Sequence, residues 1–192
     1  MLANVIEIHL FYMAIKMETE NSTDILFILG SSRKEGNTHF ITHWLAQQLD
    51  GEVIDLSEKD ISYYDYDHDN AEDDFLEIAE QMTRSRLVVL CSPVYWYTLS
   101  AQMKVFLDRW SDLLTIRKDL GRKLKGIKLG LISCGSWEES SPSYDEPVKL
   151  SAQYMDMDYS GYFHTWIADS ENKASAVVSE RLRIIKEELI RI

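Results

Sequence analysis

Two short stretches of this chain carry residue types that could do chemistry. The first is Gly30-Ser31-Ser32-Arg33-Lys34-Glu35-Gly36-Asn37-Thr38, between a short apolar run and an amphipathic stretch. Hydroxyls at Ser31, Ser32 and Thr38, backbone amides left open by glycine, and the first turn of a following helix would together receive one phosphate group. Arg33 would add a charge-assisted contact. Neither G-x-G-x-x-G nor G-x-x-x-x-G-K-[S/T] occurs, so cradles for a dinucleotide pyrophosphate or for ATP are disfavoured. The plain alternative is a capped strand-to-helix turn that holds no ligand.

The second stretch is Ser92-Pro93-Val94-Tyr95-Trp96-Tyr97-Thr98-Leu99-Ser100. A loop cannot bury three consecutive aromatics in a core of its own. They suit a wall against a flat ring, with backbone amides free to read the ring's edge. A subunit contact, where tyrosine and tryptophan are also enriched, is the competing use. Other constellations are weaker. His39 and His43 stand four apart with no third ligand at metal spacing, and Asp65, Asp67 and Asp69 lack the glycine and distal glutamate of a calcium loop, so no metal site is expected. Tyr63, Tyr64 and Tyr66 read as an irregular loop packed on its own domain. Cys91 and Cys134 match no CxxC or metal spacing; both end apolar runs, which fits small buried hydrophobes in a reducing, intracellular and hence cytoplasmic setting.

The elements that must position these stretches alternate. Short apolar runs over 25–29, 53–56, 87–91, 129–133 and 159–166 read as strands, several of them buried on both faces. Helical spacing covers 38–49, 73–84, 100–114, 147–155 and 174–191, with Ser100 placed as an N-cap. Met103, Phe106, Leu107 and Trp110 share one broad helix face that suits either a core or a subunit contact. Strands alternating with helices imply parallel pairing through right-handed crossovers, hence an α/β, doubly wound, three-layer sheet. Such sheets bind ligands beyond the carboxyl ends of their strands, where both stretches fall.

Composition narrows the class further. The 192 residues carry 20 basic and 32 acidic side chains, a formal charge of −12, which speaks against a nucleic-acid binder with a basic face. The excess is local: residues 55–80 hold eleven acids and one base, and residues 104–128 hold eight bases and three acids. Both runs read as solvated surface. Residues 1–22 read as an N-terminal extension before a single domain over 23–192. The extension has neither a basic start nor a cleavage site, and is too short to span a membrane, so no membrane association is expected. Met17 is a candidate native start.

The two loops, together with Gln102-Met103-Lys104-Val105-Phe106-Leu107-Asp108-Arg109, resemble the flavodoxin-like NAD(P)H-dependent FMN reductase family over about residues 24–136. The resemblance is strongest to the branch that includes the iron–sulfur flavoproteins. It implies a five-stranded flavodoxin-like sheet in the order 2-1-3-4-5. It also implies FMN with its phosphate in the loop of Ser31, Ser32, Arg33, Gly36, Asn37 and Thr38. The flavin ring would lie against Pro93, Val94, Tyr95 and Trp96, with Gly135 at its far edge. NAD(P)H is implied as co-substrate, with a quinone, nitroaromatic or flavin as small-molecule acceptor, and a homodimer as assembly. Flavin chemistry requires no protein acid–base dyad, so no catalytic side chain is assigned. Two departures stand out. Residues 61–68 lack the cysteines of that branch, so no iron–sulfur cluster is expected, and Tyr97 stands where the family carries a small residue. The rival reading is a flavodoxin-type electron carrier that binds FMN and docks basic protein partners through the acidic segment.

Overall fold

The computed structural model describes residues 24–192. The expectations for residues 1–22, the Met17 start included, lie outside the described residues. Strand β1 (Ile25–Leu29) is apolar throughout and buried at all five positions. Its alternate residues serve two cores. Ile25, Phe27 and Leu29 pack with Ile41 and Leu45 of helix α1 (Asn37–Leu49) and with Val178, Leu182 and Ile185 of α6 (Ala176–Arg191). Leu26 and Ile28 face the opposite layer. That layer holds α2 (Phe75–Met82), α3 (Ala101–Asp108), α4 (Lys118–Lys123) and α5 (Glu146–Tyr154). Period-two alternation in a strand buried on both faces builds two hydrophobic layers at once, each fully buried Leu, Ile or Phe contributing about 1.5–3 kcal/mol.

The remaining strands are β2 (Glu52–Asp55), β3 (Leu87–Pro93), β4 (Lys128–Gly135) and β5 (Asp158–Trp166). All pairs are parallel and the order is β2-β1-β3-β4-β5, the order implied by the resemblance. Strand order reverses between β1 and β3, where Leu29 lies beside Cys91. The loops leaving β1 and β3 therefore diverge and leave a crevice at their carboxyl ends.

Two elements differ from the sequence expectation. The helix expected over 100–114 is α-helical only to Asp108 and continues as a 3₁₀ helix, Arg109–Leu114. In a 3₁₀ helix residues i and i+3 eclipse. That puts the Arg109 Nε 2.8 Å from Asp112 Oδ2. The broad apolar face of this segment is core: Met103, Phe106 and Trp110 are buried and Leu107 packs against them. Helix α4 occupies what reads as a charged connection. It seats because Gly121 has no Cβ; one there would come 2.3 Å from the Leu113 carbonyl oxygen.

The charged runs are corrected in part. Arg109, from the basic run, is fully buried. Its guanidinium bonds Asp73 and Asp112, donates to the carbonyls of Ser62 and Asn70, and lies over the Phe75 ring. Asp73 also accepts from the Ser62 amide, Asp74 from the Asp60 amide, and Asp65 from the amides of Asp67 and Asp69. Asp73 is thus drawn into the interior, while Asp65 and Asp74 brace the loop before α2 from positions still open to solvent. Of the three tyrosines there, Tyr64 packs against Tyr66 and His68, while Tyr63 and Tyr66 are exposed.

Candidate active site

The site is built where β1, β3 and β4 end. The loop after β1 turns sharply: the Gly36 amide donates to the Arg33 carbonyl (2.9 Å), and the Arg33 amide approaches Ser31 Oγ (3.4 Å). Ser31, Gly36 and Thr38 are buried, while Ser32 and Arg33 are exposed. Gly36 is the N-cap of α1 and offers no side-chain acceptor to the first-turn amides, and that turn holds no acid. A helix start left without its own cap presents orphan N–H groups and the positive end of the dipole to an outside anion. Asn37 has a second duty, since its Nδ2 donates to the Ile167 carbonyl (3.2 Å) and ties α1 to the segment after β5. Lys34 is turned away from the loop, paired with Glu58 at 2.9 Å.

Ser100 links this loop to the next one. Its Oγ donates to the Gly30 carbonyl (2.6 Å) and accepts from the Met103 amide (3.1 Å) as the N-cap of α3. Its own amide donates to Ser92 Oγ (3.0 Å). The cap was legible in the sequence; the tie to Gly30 was not, because it joins residues 70 positions apart.

The loop after β3 starts from Pro93, buried, and Val94, whose amide donates to the Cys134 carbonyl (2.9 Å). Tyr95 and Thr98 then exchange both backbone hydrogen bonds, at 3.0 and 3.1 Å. The two residues between them, Trp96 and Tyr97, have φ of 51° and 66°. This is a type I′ turn, a form that prefers Asn-Gly because both central residues must be left-handed. Left-handed backbone costs a non-glycine residue about 1–2 kcal/mol. Trp96 is 92% and Tyr97 77% exposed, and Tyr95 stands at 43%. All three aromatic side chains thus stand open to solvent on a strained turn.

Gly135 ends β4, beside Trp166 of β5. Beneath it lies a polar cluster with one weak signal in the sequence: Tyr162, His164 and Trp166 alternate along β5 and so share a face. His164 Nε2 lies 3.0 Å from the Trp137 carbonyl oxygen, which can only accept, so Nε2 carries the proton. In the neutral ring Nδ1 then accepts from Ser133 Oγ (2.7 Å), and Ser133 Oγ accepts from the Tyr162 hydroxyl (2.7 Å). Tyr144 stacks on Tyr162 and donates to the Pro93 carbonyl (3.1 Å). Burial raises the phenol pKa of both Tyr144 and Tyr162. The cluster fixes the loop after β4 against the end of β3. Burial also pushes the thiols of Cys91 and Cys134 up to about 12, and both are free.

His39 and His43 lie ring to ring at 4.1 Å, and among the described residues no group of three metal-ligating side chains converges. Among those residues, too, no helix is long and apolar enough to cross a membrane.

Comparison with known proteins now decides the family. The model described as NADPH-dependent FMN reductase matches residues 23–161. The chain belongs to the NADPH-dependent FMN reductase family. A Bacillus subtilis (strain 168) protein, YwqN, named as an NAD(P)H-dependent FMN-containing oxidoreductase, is 29% identical over 96 residues, 47% of this chain and 53% of that protein. An NADPH azoreductase of Bacillus sp. (strain OY1-2) is 27% identical over 95 residues, covering 49% and 53%. The chain thus spans about half the length of these curated relatives. Among solved structures, the Trp repressor binding protein from Bacillus subtilis superposes with TM-score 0.68 at 21% identity, covering 88% of this chain and 99% of that one, a likeness of fold.

Proposed function

We propose that this chain is an FMN-dependent NAD(P)H oxidoreductase passing electrons from the reduced nicotinamide to a small acceptor such as a quinone, a nitroaromatic or free flavin. One observation carries the reading: at the strand-order switch, α1 begins without a side-chain cap, beside hydroxyls and a guanidinium and across from an aromatic turn. The residues fit FMN. Its phosphate is suited by the first-turn amides of α1, Ser31, Ser32, Arg33, Asn37 and Thr38. Its ring is suited by Pro93, Val94, Tyr95 and Trp96, with Gly135 at the edge. The chemistry FMN would supply there is hydride acceptance and two-electron transfer, so that NAD(P)H, a proton and a quinone would give NAD(P)⁺ and a hydroquinone. The protein's part is to grip the phosphate, hold the ring and limit water. Family membership and the names of the two curated relatives support this reading.

The two free buried thiols suit a reducing cytoplasm. The test is anaerobic: purified protein is expected to be yellow, and NADH or NADPH is expected to bleach it. Colourless protein that takes up no added FMN contradicts the reading. Bound flavin that neither nicotinamide bleaches, but a carrier reductase does, selects the electron-carrier alternative. Against that alternative, Asp73 is drawn into the interior by Arg109, which removes one acid from the docking surface.

A further inference from the structure

The fold gives most of the basic run over residues 104–128 a partner and leaves a few cations over. Lys104 pairs with Asp108, Arg109 is sealed in with Asp73 and Asp112, and Arg117 holds Glu80 and Asp119. Lys128 bonds the Ile192 carbonyl oxygen, and Lys125 pairs with Asp156 just past α5 (3.3 Å). Lys118, Arg122 and Lys123 make no ion pair with any described residue. Lys118 and Arg122 stand four apart on α4 and so share a face, where like charges repel. An anion held between them would turn that repulsion into attraction.

Both side chains line a cavity of about 700 Å³ that Lys125 also borders. Its floor is apolar, with Leu113 and Met155 buried, and its rim carries the exposed Leu114 and Tyr154. Asp156 is the one acid in the lining, and Lys125 already neutralises it. The cavity lies where β4 and β5 begin: Lys128 pairs with Asp158, and the Gly126 amide donates to the Asp156 carbonyl (2.8 Å). The crevice described above is at the opposite, carboxyl ends of the strands, and none of the residues assigned to FMN borders this cavity.

We propose that the cavity binds an amphipathic organic anion, a carboxylate on a medium-length aliphatic chain. Three observations favour this occupant. The volume is that of a small-ligand site, about 300–1,000 Å³, and leaves no room for a folded partner. The floor is aliphatic, and a methionine there adapts to a flexible chain. The acids of this chain are concentrated over residues 55–80, so an anion is repelled there and drawn to the unpaired pair on α4. An inorganic anion would leave the apolar floor uncovered, and a neutral alkyl chain would leave the cations unmatched.

The experiment titrates the whole chain, with any bound flavin in place, by calorimetry. Decanoate, decanol and acetate are each kept below the concentration at which micelles form. Decanoate should bind saturably at one site and weaken as salt is added, with decanol and acetate at least about tenfold weaker. The double variant Lys118→Gln/Arg122→Gln removes two exposed, unpaired charges, so its melting temperature should stay near wild type. It should bind decanoate about tenfold more weakly and lose most of the salt dependence. Lys149→Gln, which removes an exposed cation of α5 outside the cavity, should bind as wild type does. Leu114→Asn should weaken decanoate while leaving acetate unchanged. No saturable binding, equal binding of decanol, or unchanged decanoate affinity in the double variant overturns the proposal. So does an equal loss in Lys149→Gln, which would reduce the effect to net charge. Displacement of FMN by decanoate also overturns it, since the anion would then occupy the crevice at the other end of the sheet.

Discussion

Arg33 and Arg109 are the same residue type put to opposite uses. Arg109 is sealed in the interior, where two carboxylates, two carbonyls and the Phe75 ring surround its guanidinium. It fixes the loop over 59–74 to the end of the α3 segment. Arg33 stands exposed on a loop whose helix start has no cap. A buried charge must be matched within the fold, because burying it unmatched is costly. A binding site instead keeps donors unmatched for a ligand to complete. The lesson is that a charged residue's burial and partners, more than its type, separate scaffold from site.

The sharpest way to break this contrast is Arg109→Met. It strands Asp73 and Asp112 in the interior, and should lower stability by about 3–5 kcal/mol in denaturant unfolding. Arg33→Ala should do the reverse: stability within about 0.5 kcal/mol of wild type, but FMN dissociation raised about tenfold or more in a fluorescence titration. Ser100→Ala lies between them, since that hydroxyl both caps α3 and ties it to Gly30. About 1–2 kcal/mol of stability should go, with FMN affinity weakened as the two loops uncouple. At neutral pH the core thiols contribute no change, and their effect shows only in alkali. Cys91 and Cys134 have pKa values raised from 9.0 to about 12 by burial. A raised folded value means the protonated thiols favour the folded state fully below pH 9, and this contribution is lost as pH climbs toward 12. Stability should therefore decline across that alkaline window, and a thiol reagent at pH 8 should label neither cysteine until the protein is unfolded.

Much of this arrangement was legible from residue order. Buried apolar runs of five residues, closed by Gly30 or Ser92-Pro93 and alternating with helical stretches, read as central strands of a parallel sheet, and that places both loops at carboxyl ends. The loop after β1 and the Ser100 cap have local signals, because each uses residues adjacent in sequence. What escaped depends on distant pairing or on backbone angles. Arg109 meets Asp73 across 36 positions. The Ser133–His164 pair exists only because β4 and β5 align in that register. The left-handed turn at Trp96 and Tyr97 runs against every local preference for that conformation. Helix α4 was missed for a similar reason: a central glycine weakens helical propensity, yet only glycine fits against Leu113.

The central claim, that the uncapped start of α1 grips the phosphate of a flavin, is tested most directly by titrating the same apoprotein with FMN and with riboflavin, which lacks only that phosphate. FMN should bind at least about a hundredfold more tightly, with Arg33→Ala narrowing the gap. Equal affinity for the two flavins, or no binding of either, would contradict the account.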